Sequence, residues 1–124
     1  MKDSCLIIVS HGSKNKAWLK PVEKLTFSLK KKFGKTGVHT AYLENVKPDL
    51  KTVLGKLAST RTITILPLFI SCGNHIKNDI KKDIIKHKKH YKNTKINLLP
   101  SLGENPGFET LVISCCLRKF LNLH

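Results

Sequence analysis

Four short runs of aliphatic and β-branched residues, each followed by a stretch with helical spacing, divide this 124-residue chain from end to end. That alternation constrains the fold more than any other feature. The first run, Cys5 to Ser10, is continuously apolar through Leu6-Ile7-Ile8-Val9, the pattern of a strand covered on both faces. Trp18, Val22, Leu25, Leu29 and Phe33 follow at helical spacing as one apolar stripe. Pro21 is compatible with that helix if it falls in or near the first turn, and Gly34 and Gly37 end it. Val38 to Leu43 reads as a second strand, and Pro48 opens a helix bearing Leu50, Val53, Leu54 and Leu57. Thr62 to Phe69 is a third strand. The loop Ser71-Cys72-Gly73-Asn74 leads into a helix with Ile76, Ile80 and Ile84 inward, which Asn78 or Asp79 can cap, a role favoured for Asp79 over metal ligation. Lys95 to Leu99 is the fourth strand, Pro100 to Gly107 is rich in turn residues, and a last helix spans about Phe108 to Leu121.

Four β-α units with short connections predict an α/β fold: a four-stranded parallel sheet flanked by helices. The flavodoxin-like order 2-1-3-4 is the usual solution, with residues 1–124 as a single domain. The final helix is apolar nearly all round (Val112, Ile113, Cys115, Cys116, Leu117, Phe120, Leu121), so it is expected to be buried on two sides. In so small a chain the second cover would be another subunit.

Hydrophobic residues make up 40% of the chain, which favours a folded domain over a basic tail. No apolar run approaches the roughly 20 residues that cross a bilayer, and Leu6–Val9 is too short for a signal-peptide core. A cytoplasmic location without a membrane partner is expected. Cys5, Cys72, Cys115 and Cys116 show no metal-ribbon spacing and read as reduced thiols, two or three of them in the core. The net charge of +15 is almost entirely lysine, Arg61 and Arg118 being the only arginines. Such an excess suits either a solvated surface or a polyanionic partner. Readers of nucleic acid lean on arginine forks and exposed aromatics, both scarce here, so no nucleic-acid partner is expected.

In open α/β sheets, ligands bind beyond the carboxyl ends of the strands, where strand order reverses. His11 follows strand one, Glu44 follows strand two and His75 follows strand three. Strands one and three are neighbours in a 2-1-3-4 sheet, so the two histidines are expected to face each other. Singly, each histidine reads as an ordinary loop residue. Together with a carboxylate they make a borderline donor set for Fe²⁺, Co²⁺, Ni²⁺ or Zn²⁺. Gly12 and Gly73 allow close approach to the backbone. His87 and His90 lie in a lysine-rich stretch and read as a solvated basic face, and His39 falls within the second strand. Gly34-Lys35-Thr36 lacks the first glycine of a phosphate loop and precedes a strand, so ATP chemistry has no support.

Leu6-Ile7-Ile8-Val9-Ser10-His11-Gly12-Ser13, Tyr42-Leu43-Glu44 and the segment from Leu66 through Gly73-Asn74-His75 to Asp79-Ile80 resemble the small sirohydrochlorin chelatases. Pro100-Ser101-Leu102-Gly103 is similar to that family's last loop. The resemblance implies a chelatase half-unit that inserts a divalent metal into sirohydrochlorin without ATP or an organic cofactor. Co²⁺ is the first expectation, with Fe²⁺ or Ni²⁺ as alternatives, in cobalamin- or sirohaem-type biosynthesis. It further implies a homodimer, His11 as metal ligand and proton acceptor, and His75 as metal ligand. Glu44 would lie near the metal path, and Ile70, Ser71, Cys72, Gly73 and Asn74 would line the substrate. The chain departs from many relatives with Asn74 in place of a glycine and Lys14 in place of an arginine. A non-catalytic metal or tetrapyrrole carrier and a basic nucleic-acid-binding module are the competing readings.

Overall fold

Strand β1 (Ser4–Ser10) lies at the heart of a computed structural model that describes residues 3–121. It is followed by α1 (Lys16–Phe33), β2 (Val38–Tyr42), α2 (Leu50–Lys56), β3 (Thr62–Pro67), α3 (Asn74–His90), β4 (Lys95–Leu98), a 3₁₀ turn (Leu102–Glu104) and α4 (Pro106–Phe120). The strands form one parallel sheet in the order β2-β1-β3-β4, as the alternation predicts. Val9 stands opposite Ala41 on one side and Pro67 on the other, so β1 is hydrogen-bonded along both edges.

The pleat sends alternate side chains to opposite faces. Cys5, Ile7, Val9, Ile63 and Ile65 point to one face, where Leu50, Val53, Leu54 and Leu57 of the α2 segment and Ile80 of α3 close over them. Ile96 and Leu98 extend this core under β4. Each fully covered aliphatic side chain contributes roughly 1.5–3 kcal/mol relative to exposure. Asp49 caps α2 by accepting from the Thr52 amide at 2.9 Å, a bond that holds its carboxyl below the usual carboxylate range. The helix therefore starts at Leu50, with Pro48 just outside it.

The other face is clothed only in part. Ile8, Val38 and Tyr42 are buried there, and Thr26 of α1 meets Thr40 at 2.8 Å. Across β3 and β4, Thr62, Thr64, Leu66 and Asn97 are only half-buried and Lys95 is exposed.

Several expectations need correction. Asn15 caps α1 through the Ala17 amide, so the helix begins at Lys16 and Pro21 falls in its second turn, where it removes one backbone hydrogen bond. In the α1 stripe, Val22, Leu25 and Leu29 are half-buried but Trp18 and Phe33 are exposed. An 18-residue helix is about 27 Å long whereas the five-residue strand beneath it covers about 17 Å, so its ends overhang. Helix α3 starts at Asn74 with Gly73 as its cap, so Asn78 and Asp79 lie inside the helix and cap nothing. Only Cys5 of the four free cysteines is buried; Cys72 is half-buried, while Cys115 and Cys116 are exposed because α4 buries none of its residues.

His87 is the remaining correction. It continues the Ile76-Ile80-Ile84 line and is 7% exposed, packed against the Tyr91 ring at 4.7 Å, while His90 stays in solvent. Its Nε2 has no hydrogen-bond partner. Burial pushes the imidazole pKa down, with help from His90. A depressed histidine pKa stabilises the fold above its ordinary value near 6.5, and that contribution is lost as pH falls through the folded value. The melting temperature is therefore expected to drop between pH 7.5 and 5.5, and to drop less in His87→Phe; equal slopes in a thermal titration would contradict this.

Candidate functional site

The carboxyl ends of β1 and β2 are joined by backbone contacts that leave no room for a side chain at position 12. The Leu43 amide donates to the Ser10 carbonyl and the Glu44 amide to the His11 carbonyl, both at 3.0 Å. Gly12 has φ +92°, and a Cβ there would lie 2.0 Å from the Glu44 carbonyl oxygen. Glycine is thus required twice, for conformation and for space. Asn45, also at positive φ (68°), turns the chain back after Glu44.

This closure sets the side chains of His11 and Glu44 together. His11 Nε2 lies 2.6 Å from Glu44 Oε1, and both side chains remain more than half exposed. In neutral His11 the short contact makes Nε2 the protonated nitrogen, donating to the carboxylate and leaving Nδ1 with its lone pair free. A cleft of about 380 Å³ adjoins the pair, lined by Ser10, His11, Gly12, Ser13, Trp18, Leu19, Val22 and Asn45. Ser10 is buried at its base, and its Oγ has no hydrogen-bond partner.

His75 occupies the first turn of α3, beyond the end of β3, the strand next to β1. It is exposed, and it is at the same edge of the sheet as His11. Among the described residues no three His, Cys, Asp or Glu side chains form a group able to hold an ion, so His11 and Glu44 meet within one chain and His75 does not join them there.

Ile70, Ser71 and Gly73 form an exposed loop between β3 and α3, with Cys72 half-buried among them and Asn74 exposed at the first position of α3. The loop is anchored from below: a Cβ on Gly103 would lie 1.8 Å from the Ile70 carbonyl oxygen, and the Gly103 amide donates to Phe69 at 3.3 Å. Ser101 donates to Glu104 Oε2 from its amide (3.0 Å) and hydroxyl (2.9 Å), holding this support rigid. A second cleft of about 390 Å³ runs from Pro67 and Cys72 past Lys77 and Lys81 to Ser101 and Glu104. Burial first, and then the Glu104 carboxylate, raise the Cys72 thiol pKa, which keeps it protonated and a poor metal ligand near neutrality. A further cavity of about 880 Å³ lies between α1 and β2 around Phe27, Lys30, Lys31 and Lys35 and contains none of these residues.

Three contributors are not evident from sequence. Trp18 has the spacing of a core residue in the α1 stripe, yet it is 72% exposed at the mouth of the His11 cleft. Ser10 and Gly103 fall within segments that resemble the family, but the cleft base and the loop brace they form are not readable from those segments. Nothing in a single sequence announces a contact made by the absence of a side chain.

The model of the CbiX family matches residues 5–116. A protein named sirohydrochlorin cobaltochelatase from Sulfurisphaera tokodaii is 31% identical over 100 residues, covering 79% of this chain and 78% of its own. One of the same name from Sulfolobus acidocaldarius is 30% identical, covering 92% and 87%. Among solved structures, a cobalamin (vitamin B12) biosynthesis CbiX protein from Marinobacter aquaeolei superposes with a TM-score of 0.79 at 25% identity, covering 98% of this chain and 99% of that one. The fold also matches the sirohydrochlorin chelatase SirB from Bacillus subtilis, solved with cobalt, at a TM-score of 0.76 and 21% identity; 92% of this chain covers 49% of that one.

Gly12→Ala should separate the two loop exits. The expected outcome is a loss of stability of at least about 1–3 kcal/mol, read from urea unfolding. A variant as stable as the parent would mean that the contact is not a constraint.

Proposed function

The chain belongs to the CbiX family, and from that premise we propose that it is a sirohydrochlorin chelatase inserting a divalent metal, Co²⁺ before Fe²⁺ or Ni²⁺, into the macrocycle. The observation that carries this reading is the His11–Glu44 pair beside an open cleft, on a sheet shared with CbiX and SirB proteins.

Insertion must remove two pyrrolic protons and exchange the metal's water shell for four ring nitrogens. His11 receives one of these protons on the lone pair of Nδ1 once the metal has passed to the ring, the second proton goes to bulk water, and Glu44 keeps the imidazole oriented by accepting from Nε2. His11 and His75 handle the incoming metal as a substrate, with Glu44 beside its path. Imidazole and carboxylate donors suit first-row divalent ions without selecting one of them.

Sirohydrochlorin carries eight carboxylates on a flat conjugated ring. The chain's +15 charge would steer such an anion at low ionic strength. The loop Ile70 to Asn74 borders the bound ring, close to Lys77 and Lys81 of the second cleft. Trp18, at the mouth of the first cleft, offers an aromatic face to the macrocycle.

The working unit is a homodimer. Support comes from the uncovered final helix and from SirB, of which this chain spans about half. Two copies would supply the second half that the longer protein carries in one chain.

The test is a spectrophotometric insertion assay with Co²⁺, Fe²⁺ and Ni²⁺ under anaerobic conditions. His11→Ala and His75→Ala are each expected to slow insertion by about 100-fold or more while the circular dichroism spectrum is retained. Parent-like rates in both variants would overturn the assignment, and a spectral change limited to one equivalent of protein would make the chain a carrier. Trp18 is the chain's one tryptophan, so its fluorescence reports the ring directly. Sirohydrochlorin without metal should quench it; an unchanged emission at saturating ring would remove Trp18 from the site.

A further inference from the structure

Glu23, Phe27, Lys30 and Lys31 stand at i, i+4, i+7 and i+8, a stripe of α1 beside the Val22-Leu25-Leu29 stripe that packs on the sheet. The strand under it, β2, is an edge strand. Phe27 is 53% exposed, and Lys31 Nζ stands 5.0 Å from its ring centroid. Gly34, at φ +99°, ends the helix, and Lys35 beyond it joins the same wall. With Thr26 and Thr40 these residues line the cavity of about 880 Å³, a volume typical of small-molecule sites.

Lysines in the last turn suit the helix dipole. The dipole accounts neither for an aromatic ring left in water beside them nor for Lys35, which lies past that turn. Among the described residues the ion pairs are His11–Glu44 and Lys47–Asp49, so Glu23 and the three lysines hold no counter-charge. The Thr26 hydroxyl donates to the Val22 carbonyl at 2.8 Å, so in its 2.8 Å contact with Thr40 it accepts and Thr40 donates. Thr40 Oγ1 is left with acceptor capacity alone. The cavity is therefore polarised, with acceptors at Glu23 and Thr40, an aromatic face at Phe27, and cations at Lys30, Lys31 and Lys35. Glu23 and Lys30 are seven residues apart, about 10 Å along the helix.

We propose that this cavity binds a purine nucleotide bearing an amino group. Its phosphate sits among Lys30, Lys31 and Lys35, its base lies against Phe27, and the amino group donates toward Thr40 and Glu23. A simple aromatic carboxylate is too short to reach both ends, and inorganic phosphate uses neither the ring nor the acceptors. No lining residue is shared with the His11 cleft, so this is a second ligand site and not an arm of the first.

The test titrates AMP into the full chain by calorimetry at physiological ionic strength, where diffuse attraction to a +15 cation is screened. One-site binding is expected, weakened about 10-fold or more by Phe27→Ala and by Lys30→Gln combined with Lys31→Gln. Lys88→Gln combined with Lys89→Gln should leave it unchanged. Amide shifts in the ¹H–¹⁵N spectrum should centre on Phe27, Gly34 and Thr40. Absence of binding overturns the proposal. Ribose 5-phosphate binding as tightly as AMP would reduce the cavity to a site for simple anions, and equal loss in both lysine pairs would reduce it to surface charge; either result overturns it. IMP, with a carbonyl where AMP has its amine, should bind more weakly, and equal affinity would overturn the amino-purine assignment. Circular dichroism of each variant checks that it is folded before titration.

Discussion

The structure depends on one strand being enclosed from every direction. β1 is hydrogen-bonded to β2 and β3 along its edges, Ile7 and Val9 are sealed under the α2 segment and α3, and Ile8 is sealed on the other face. A chain of this size can bury few residues completely, and it concentrates that burial on the strand whose end carries the proposed site. His11 is therefore the exposed tip of the most rigid element, which is where a group that must meet a substrate in fixed geometry belongs.

The remaining parts of the site are attached to this tip with decreasing firmness. Glu44 is tied to it by two backbone hydrogen bonds and by the tight contact at Gly12. His75 is carried on the neighbouring strand's helix, and the loop before it is braced by Gly103. The two clefts flank these residues rather than enclosing them, so the single chain presents an open site. That agrees with a sheet only partly covered and a helix with both sides bare.

Much of this is legible in the residues. The unbroken apolar run Leu6–Val9 specifies a central strand, and the Ile-rich strands and short connections lead to the observed order. The neighbouring strands β1 and β3 lead one to expect His11 to meet His75, whereas the structure brings His11 to Glu44, because main-chain bonds tie the exits of β1 and β2. What cannot be read depends on length and position. Trp18 and Phe33 have the spacing of core residues but stand past the ends of the strands beneath them. His87 looks solvated because lysines surround it in sequence, whereas its helical angle turns it toward the core. The apolar periphery of α4 signals two covers, yet spacing says nothing about which molecule supplies them, and the chain itself supplies neither.

The closure at Gly12 has a bearing on how such a site could diversify. His11 and Glu44 are held by main-chain atoms, since the bonds between their loops run from amide to carbonyl. A frame of that sort is indifferent to what is mounted on it. Donors of other hardness could be installed at these two positions while the backbone stays where it is, so that preference among metal ions becomes a matter of exchangeable fittings on a standing scaffold.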